Sequence, residues 1–277
     1  MLFFPALSSV PLANLLSQVK LSMADPAAAK PRDWVGKFAQ SESFTIIPEL
    51  KRSEPRVGSL RPRYNPSLLA EEFVTAGNAR ALSVNCDGVL FGGSLDDITT
   101  VRMAATAPIL VSDLILYPYQ LYKLCLAGAD AVSFVAAALS AKDLLYLTKI
   151  AASLGLQSVV TVASEVQLER VVSVLNAGSI VALVVSNRNW EDCSVDESGE
   201  QALSILLSNA MAAFIQKFGR QIPVLVEGRV GLIQKDGSAA GYIRELKESG
   251  SRGAIVGGAL ASNDESGGIR ALTLFNE

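Results

Sequence analysis

The chain of 277 residues is 50% hydrophobic and carries a net charge of −3 at pH 7. This length is enough for one large α/β domain with a substantial core. The basic residues are scattered along an acidic chain, which argues against a nucleic acid partner because phosphate binding needs a concentrated basic face. The chain contains no histidine. Any catalysis therefore depends on carboxylates, lysines, tyrosines or a bound cofactor.

Two further features concern location. The three cysteines are too widely spaced for a disulfide framework or a metal site, which fits a reducing compartment, and no apolar run is long enough to span a membrane. Residues 1–24 contain Lys20 as their single charged residue. This composition predicts either a chloroplast-targeting segment or a loosely packed N-terminal arm; without a targeting signal the protein would be cytoplasmic.

From about residue 44 onward, short apolar runs alternate with amphipathic stretches. Runs rich in Val, Ile, Leu and Ala with little polar alternation predict strands that are buried on both faces. The predicted strands are Thr45–Leu50, Ala81–Val84, Pro108–Val111, Ala131–Val135, Ser158–Val162, Ile180–Val185, Pro223–Glu227 and Gly253–Val256. The predicted helices are 67–76, 96–104, 118–127, 140–153, 165–175, 197–217, 237–248 and 265–275.

Eight βα units in about 230 residues are typical of a (β/α)8 barrel. The predicted fold is therefore α/β, a single TIM barrel over residues 41–277 that follows an N-terminal extension or targeting segment over residues 1–40. A doubly wound open sheet is the alternative, but no G-x-G-x-x-G follows the first strand. In a barrel the functional residues lie at the carboxyl ends of the strands and in the loops that follow.

At these strand ends the sequence resembles the indole-3-glycerol-phosphate synthase family. The resemblance runs in order from about residue 44 to 275, whereas the first 40 or so residues do not clearly match. The matching phrases are PELKRSEP (48–55), LSV (82–84), FGGS (91–94), DLI (113–115), PYQLY (118–122), AGADAV (127–132), SNRN (186–189) and VGGAL (256–260).

The resemblance implies ring closure of a carboxyphenylamino-deoxyribulose phosphate, with decarboxylation and dehydration, and without a metal or organic cofactor. That chemistry needs a cationic acid, a carboxylate base and a phosphate cradle. By position in the family's motifs, the implied catalytic residues are Glu49, Lys51 and Glu227. The implied binding residues are Arg188, Gly228, Gly257 and Gly258, of which the last two lie in the loop that holds phosphate.

Several positions depart from the family's pattern. The lysine of K-D-F, the expected general acid, is Ser112, and the glutamate of V-E-V, the expected base, is Thr161. The asparagine that opens N-[NS]-R is Ser186. The S-P-S phrase of the first loop, which helps to hold substrate anions, is replaced by residues 54–56 (EPR), and E-S-G is replaced by residues 227–229 (EGR).

These departures weigh against synthase activity. A general acid or base typically contributes about 10²–10⁴-fold, so losing both costs on the order of 10⁴-fold or more. The favoured hypothesis is a non-catalytic relative that serves as a structural or assembly partner of an unidentified protein in a plastid complex. The alternative is a weak or altered synthase that acts on a phosphorylated anilino-sugar with Glu49, Lys51 and Glu227.

The charged residues of the barrel mouth allow two interpretations. Glu49 and Lys51 are either a catalytic pair or a salt-bridged layer that is kept because a lone buried charge is costly. Gly257 and Gly258 either bind phosphate or only form a turn. The cations form either a mouth for some anion or a closed, ion-paired top. The cations are Lys51, Arg56, Arg188 and Arg229, and the carboxylates expected to neutralise them are Glu54, Asp87, Asp113 and Glu227.

Overall fold

A computed structural model describes residues 12–24, 30–41, 43–61, 63–236 and 238–261. Eight parallel strands form a closed barrel in which each strand pairs with its neighbours in sequence and the last pairs with the first. The predicted (β/α)8 fold is confirmed, and each predicted strand is present with its ends within two residues. The strands are β1 (Thr45–Leu50), β2 (Leu82–Asn85), β3 (Ile109–Ser112), β4 (Ala131–Val135), β5 (Gln157–Val162), β6 (Ala182–Ser186), β7 (Val224–Glu227) and β8 (Gly253–Val256).

The helices surround this barrel. One prediction was wrong: the stretch 197–217 forms two helices, because the Ser208 hydroxyl accepts a hydrogen bond from the Met211 amide at 3.1 Å and starts a new helix there. The predicted helix 265–275 lies outside the described residues. The described α-helices are α1 (Leu12–Ala24), α2 (Pro66–Thr75), α3 (Leu95–Ala104), α4 (Pro118–Ala127), α5 (Ala141–Ser153), α6 (Glu165–Val174), α7 (Glu200–Leu206), α8 (Asn209–Phe218) and α9 (Ala239–Glu248).

The amino end of the barrel is closed by residues that precede β1. Trp34 is 0% exposed and packs with the inward-facing residues of the strands. Its indole N–H donates to the Leu82 carbonyl at 3.2 Å, and its amide donates to the Gln157 side chain at 2.8 Å. Phe38 meets the Trp34 ring edge-on at 4.9 Å. The division of the chain at residue 40 stays a prediction, but this packing makes residues 34–38 the floor of the barrel.

A buried carboxylate anchors the segment that leads to this floor. Asp130 is fully buried just before β4 and accepts from the Ile109 amide at 2.8 Å. It also accepts from the Arg32 amide and from the Arg102 guanidinium, both at 2.6 Å. Because a buried charge is costly without partners, these donors explain why the sequence places an aspartate at this helix-to-strand junction.

The N-terminal helix α1 was not predicted from the sequence. Its residues Leu15 and Val19 are buried, and the helix packs against α4. Residues 12–24 therefore form a packed helix rather than a loose arm, and a role in targeting stays a prediction. No helix within the described residues is long and apolar enough to cross a membrane.

We predict that Trp34→Ala lowers the free energy of unfolding by about 3–5 kcal/mol, because it removes a fully buried indole and leaves a cavity in the barrel floor. Urea denaturation followed by circular dichroism measures this loss. The matched control is Met103→Ala, whose side chain is 84% exposed and whose loss should change the stability by less than about 0.5 kcal/mol. Equal effects of the two substitutions would show that Trp34 does not support the floor.

Candidate active site

A pocket of about 640 Å³, open mouth included, lies at the carboxyl ends of the strands. Because alternate residues of each strand point inward, residues from seven of the eight strands reach it. The structure places every predicted site residue except Gly258 in its lining. Gly258 instead begins a short 3₁₀ helix, Gly258–Leu260, beside the pocket. The predicted residues in the lining are Glu49, Lys51, Arg188, Glu227, Gly228 and Gly257.

The positions of the expected general acid and base hold paired hydroxyls. Ser112, at the end of β3, lies 3.1 Å from the hydroxyl of Ser83 on β2. Thr161, on β5, lies 2.8 Å from the hydroxyl of Ser133 on β4. All four hydroxyls are neutral, and within each pair the two hydroxyls are hydrogen-bond partners. Neither hydroxyl pair therefore exchanges a proton readily near pH 7.

Charged side chains on the opposite side of the pocket form a continuous buried chain of ion pairs. The Lys51 ammonium lies 3.1 Å from Glu49 and 3.7 Å from Glu54. The second oxygen of Glu54 is bonded to the Arg188 guanidinium. Although burial opposes ionisation, the Lys51 and Arg188 cations lower the pKa of Glu54 below its ordinary value. We call Glu49, Lys51, Glu54 and Arg188 the mouth ion-pair chain.

Neighbouring groups hold the two cations of this chain in place. Arg188 donates to the Cys193 carbonyl at 3.0 Å, and its own amide donates to the Ser186 hydroxyl at 3.0 Å. The Phe91 ring lies 5.5 Å from the Arg188 guanidinium and 5.8 Å from the Lys51 ammonium. An aromatic face attracts cations at such distances. Groups of the protein itself thus hold both cations.

Exposed ion pairs link the loops around the mouth. Arg56 pairs with Asp192 at 3.3 Å, and Arg229 pairs with Glu197. All four cations of the mouth therefore have a carboxylate partner, as the ion-paired interpretation requires. Of the four carboxylates expected to neutralise these cations, Glu54 does so, and Glu49 pairs with Lys51 as the salt-bridged interpretation predicts. Asp87, Asp113 and Glu227 form no ion pair with any described residue.

Two of these unpaired carboxyls titrate near neutrality. Burial, reinforced by the nearby Asp87 charge, raises the pKa of Asp113 to about 6. Burial, reinforced by Glu49, raises the pKa of Glu227 to about 7, against an opposing hydrogen bond from Ser186. Carboxyls with raised pKa in a pocket are able to give or take a proton near pH 7.

Two residues that line the pocket, Ser133 and Trp190, were not identified from the sequence. Ser133 lies two residues before Val135, the last residue of β4, and therefore on the same face of the strand. The alternation of side chains along the strand could have identified it as a partner for Thr161. Trp190 follows the SNRN phrase by one residue, lines the pocket and packs edge-on against Phe91 at 6.3 Å. No pattern in the sequence indicates that contact, because it joins loops that follow different strands.

The geometry also explains why residue 257 is a glycine. A Cβ atom at Gly257 would lie 2.6 Å from Lys51 Cε and 2.7 Å from Glu49 Oε2. At Gly258 the closest atom to such a Cβ would be Leu232 Cδ1, at 3.3 Å. The absence of a side chain at position 257 therefore leaves room for the Glu49–Lys51 pair.

We predict that Gly257→Ala lowers the free energy of unfolding by about 1–3 kcal/mol, because the new methyl group displaces the buried Glu49–Lys51 pair. Gly258→Ala is the matched control and should cost less than about 1 kcal/mol, since its nearest contacts, the end of the Leu232 side chain at 3.3 Å and Glu54 Oε2 at 3.4 Å, are much longer than those at position 257. Urea denaturation of both variants provides the comparison. A larger cost at position 258 would contradict this account of the mouth.

We predict that Glu227→Gln stabilises the protein at pH 8 by about 1–3 kcal/mol. The folded carboxyl keeps its proton up to about pH 7, whereas its ordinary pKa is 4.5. The native state thus binds more protons between these values, and the free energy of unfolding falls as pH rises through this range. Denaturation at pH 4 and pH 8 should show a wild-type loss that is smaller in the variant. Parallel pH profiles would exclude a raised pKa.

Comparisons with known proteins identify the family of the chain. The family model described as indole-3-glycerol phosphate synthase matches residues 9–272. The synthase of Rippkaea orientalis is 32% identical over 258 residues, which are 93% of this chain and 80% of that protein. The synthase of Crocosphaera subtropica is 30% identical over 257 residues, 92% of this chain and 81% of that protein.

The expectation that the first 40 or so residues do not match was wrong, because the match begins at residue 9 and so includes α1 and the barrel floor. The chain belongs to the indole-3-glycerol phosphate synthase family.

Proposed function

We propose that this member of the family has lost synthase activity and serves as a structural or assembly partner of another protein. The observation that carries the proposal is the pair of neutral hydroxyls, Ser112 and Thr161, at the positions that the resemblance assigns to the general acid and base. Each hydroxyl is already engaged by a neighbouring hydroxyl, at 3.1 Å and 2.8 Å respectively. Neither supplies an ammonium or a carboxylate for proton transfer.

The size of the expected defect supports this proposal. Ring closure needs a proton on the ketone oxygen and dehydration needs a proton to be taken and another given, and each missing group costs about 10²–10⁴-fold. The mouth ion-pair chain adds to the defect, because Lys51 and Arg188 are already neutralised by Glu49 and Glu54. An anionic substrate would have to displace these internal carboxylates before it gained a cationic partner.

The proposed partner role rests on a different observation. The barrel is closed and its core is complete across the described residues. The fold is therefore retained although the mouth has changed. Because function depends on sites rather than folds, a retained barrel surface is able to serve a partner. We place the partner in a plastid complex, which the charge-poor composition of residues 1–24 supports. Size-exclusion chromatography of a native extract tests this part. Elution well above 29.3 kDa is expected, and elution as a monomer would contradict it.

A second function has one observation in its favour. Asp113 and Glu227 line the pocket with pKa values raised to about 6 and about 7, which suits an altered synthase that acts on a phosphorylated anilino-sugar. Thermal-shift titration with inorganic phosphate and a substrate analogue separates the two functions. A saturable rise in the melting temperature favours the enzyme, since ligand binding stabilises the native state by mass action.

We predict that the purified chain converts carboxyphenylamino-deoxyribulose phosphate to indole-glycerol phosphate at least about 10⁴-fold more slowly than the Rippkaea orientalis synthase. The rise of indole fluorescence measures the product, and the cyanobacterial enzyme is the positive control. The reason is the replacement of both proton-transfer groups by Ser112 and Thr161. A kcat/KM within about tenfold of the control would disprove the loss of activity.

A further inference from the structure

Glu54 lies in an unusual position for a carboxylate that follows a barrel strand. It belongs to a short hairpin, in which Ser53–Glu54 pairs with Gly58–Ser59, and its side chain turns inward until the residue is 3% exposed. Its two oxygens have different partners: one meets Arg188, and the other lies 3.7 Å from Lys51. The carboxylate therefore joins cations that follow β1 and β6.

These two cations differ in how much they depend on Glu54. Lys51 has a second carboxylate partner, Glu49, at 3.1 Å. Arg188 is 4% exposed, and within the described part of the chain Glu54 is the one carboxylate at ion-pair distance from it. Because a buried guanidinium without an anion is strongly destabilising, the position between Arg188 and Lys51 requires a negative charge.

The shape of this position also suits a small oxyanion. A guanidinium presents a planar fork of donors that matches carboxylate and phosphate oxygens, and an ammonium adds a second cationic contact. The Gly258 backbone lies close to this position, since a Cβ atom there would be 3.4 Å from the nearer Glu54 oxygen. Two convergent buried cations constitute an oxyanion site.

We infer that the Glu54 carboxylate is an internal ligand that occupies an oxyanion site of the barrel mouth and excludes free phosphate and carboxylates from it. Since Glu54 is tethered four residues beyond the end of β1, its effective concentration at the site far exceeds that of a free anion at millimolar concentration. The inference concerns the cations and not the proton-transfer positions. It therefore holds or fails separately from the loss of synthase activity.

The test is Glu54→Ser, which removes the carboxylate and leaves the site empty. We expect 10 mM inorganic phosphate or acetate to raise the melting temperature of this variant by about 3 °C relative to chloride at equal ionic strength. The wild type should not respond. Isothermal titration with the same anions should give a dissociation constant for the variant at least about tenfold lower than for the wild type.

Two control variants separate this site from general charge effects. Glu54→Gln removes the charge but fills the same space, so it should bind the anions no better than the wild type. Glu197→Ser removes the carboxylate partner of Arg229, whose side chain is 29% exposed, and it should gain nothing because a hydrated surface cation binds anions weakly. If all three variants gain binding equally, the inference is wrong.

Two other outcomes are decisive. A wild-type protein that binds phosphate as tightly as Glu54→Ser would show that Glu54 does not occupy the site. If Glu54→Ser fails to fold, refolding is repeated in 100 mM phosphate and in 100 mM acetate. Recovery of folded protein in these anions and not in chloride supports the inference, whereas failure in all three salts overturns it.

Discussion

The buried ion pairs of the mouth constrain much of what surrounds them. Glu49, Lys51, Glu54 and Arg188 form one connected chain in which each charge has an opposite partner. Removing Glu54 leaves the buried Arg188 guanidinium without its carboxylate, which typically costs about 3–5 kcal/mol. This mouth ion-pair chain holds the hairpin formed by Ser53–Glu54 and Gly58–Ser59 against the loop that follows β6. It also requires Gly257, because any side chain there would collide with Lys51 and Glu49.

This constraint connects the fold of the mouth to its chemistry. The cations that an anionic substrate would need are held by internal carboxylates, and the opposite wall offers the hydroxyls of Ser112 and Thr161. The remaining titratable groups, Asp113 and Glu227, are carboxyls that burial keeps partly protonated near pH 7. The result is a pocket with fixed charges on one side, neutral hydroxyls on another, and no ammonium free to act as an acid among its described lining residues.

The sequence predicted the barrel well for a physical reason. Strands that are buried on both faces have to be nearly continuous apolar runs, and all eight such runs form the barrel. The split of the stretch 197–217 was missed because Ser208 is compatible with a helix interior until its hydroxyl is seen to cap α8. The floor formed by Trp34 was missed because its partners, Leu82 and Gln157, are far away in sequence.

The site was predictable in membership but not in pairing. Strand ends identify which residues reach the mouth, since barrel geometry puts them there. Which carboxylate neutralises which cation depends on loop conformations that sequence patterns do not encode. Glu54 was expected among the neutralising carboxylates and does pair with Arg188 and Lys51, whereas Asp87, Asp113 and Glu227 were also expected to pair and form no ion pair with any described residue.

Growth of a tryptophan auxotroph that lacks indole-3-glycerol-phosphate synthase tests the central claim most directly, because it requires every proton transfer of the reaction in one assay. Cells that express this chain should not grow without tryptophan or indole, whereas cells that express the Rippkaea orientalis synthase should grow. Immunoblotting of the soluble fraction confirms that the chain is present. Growth at the rate of the control would show that Ser112 and Thr161 do not prevent catalysis, and it would contradict the account of this barrel as a non-catalytic member of its family.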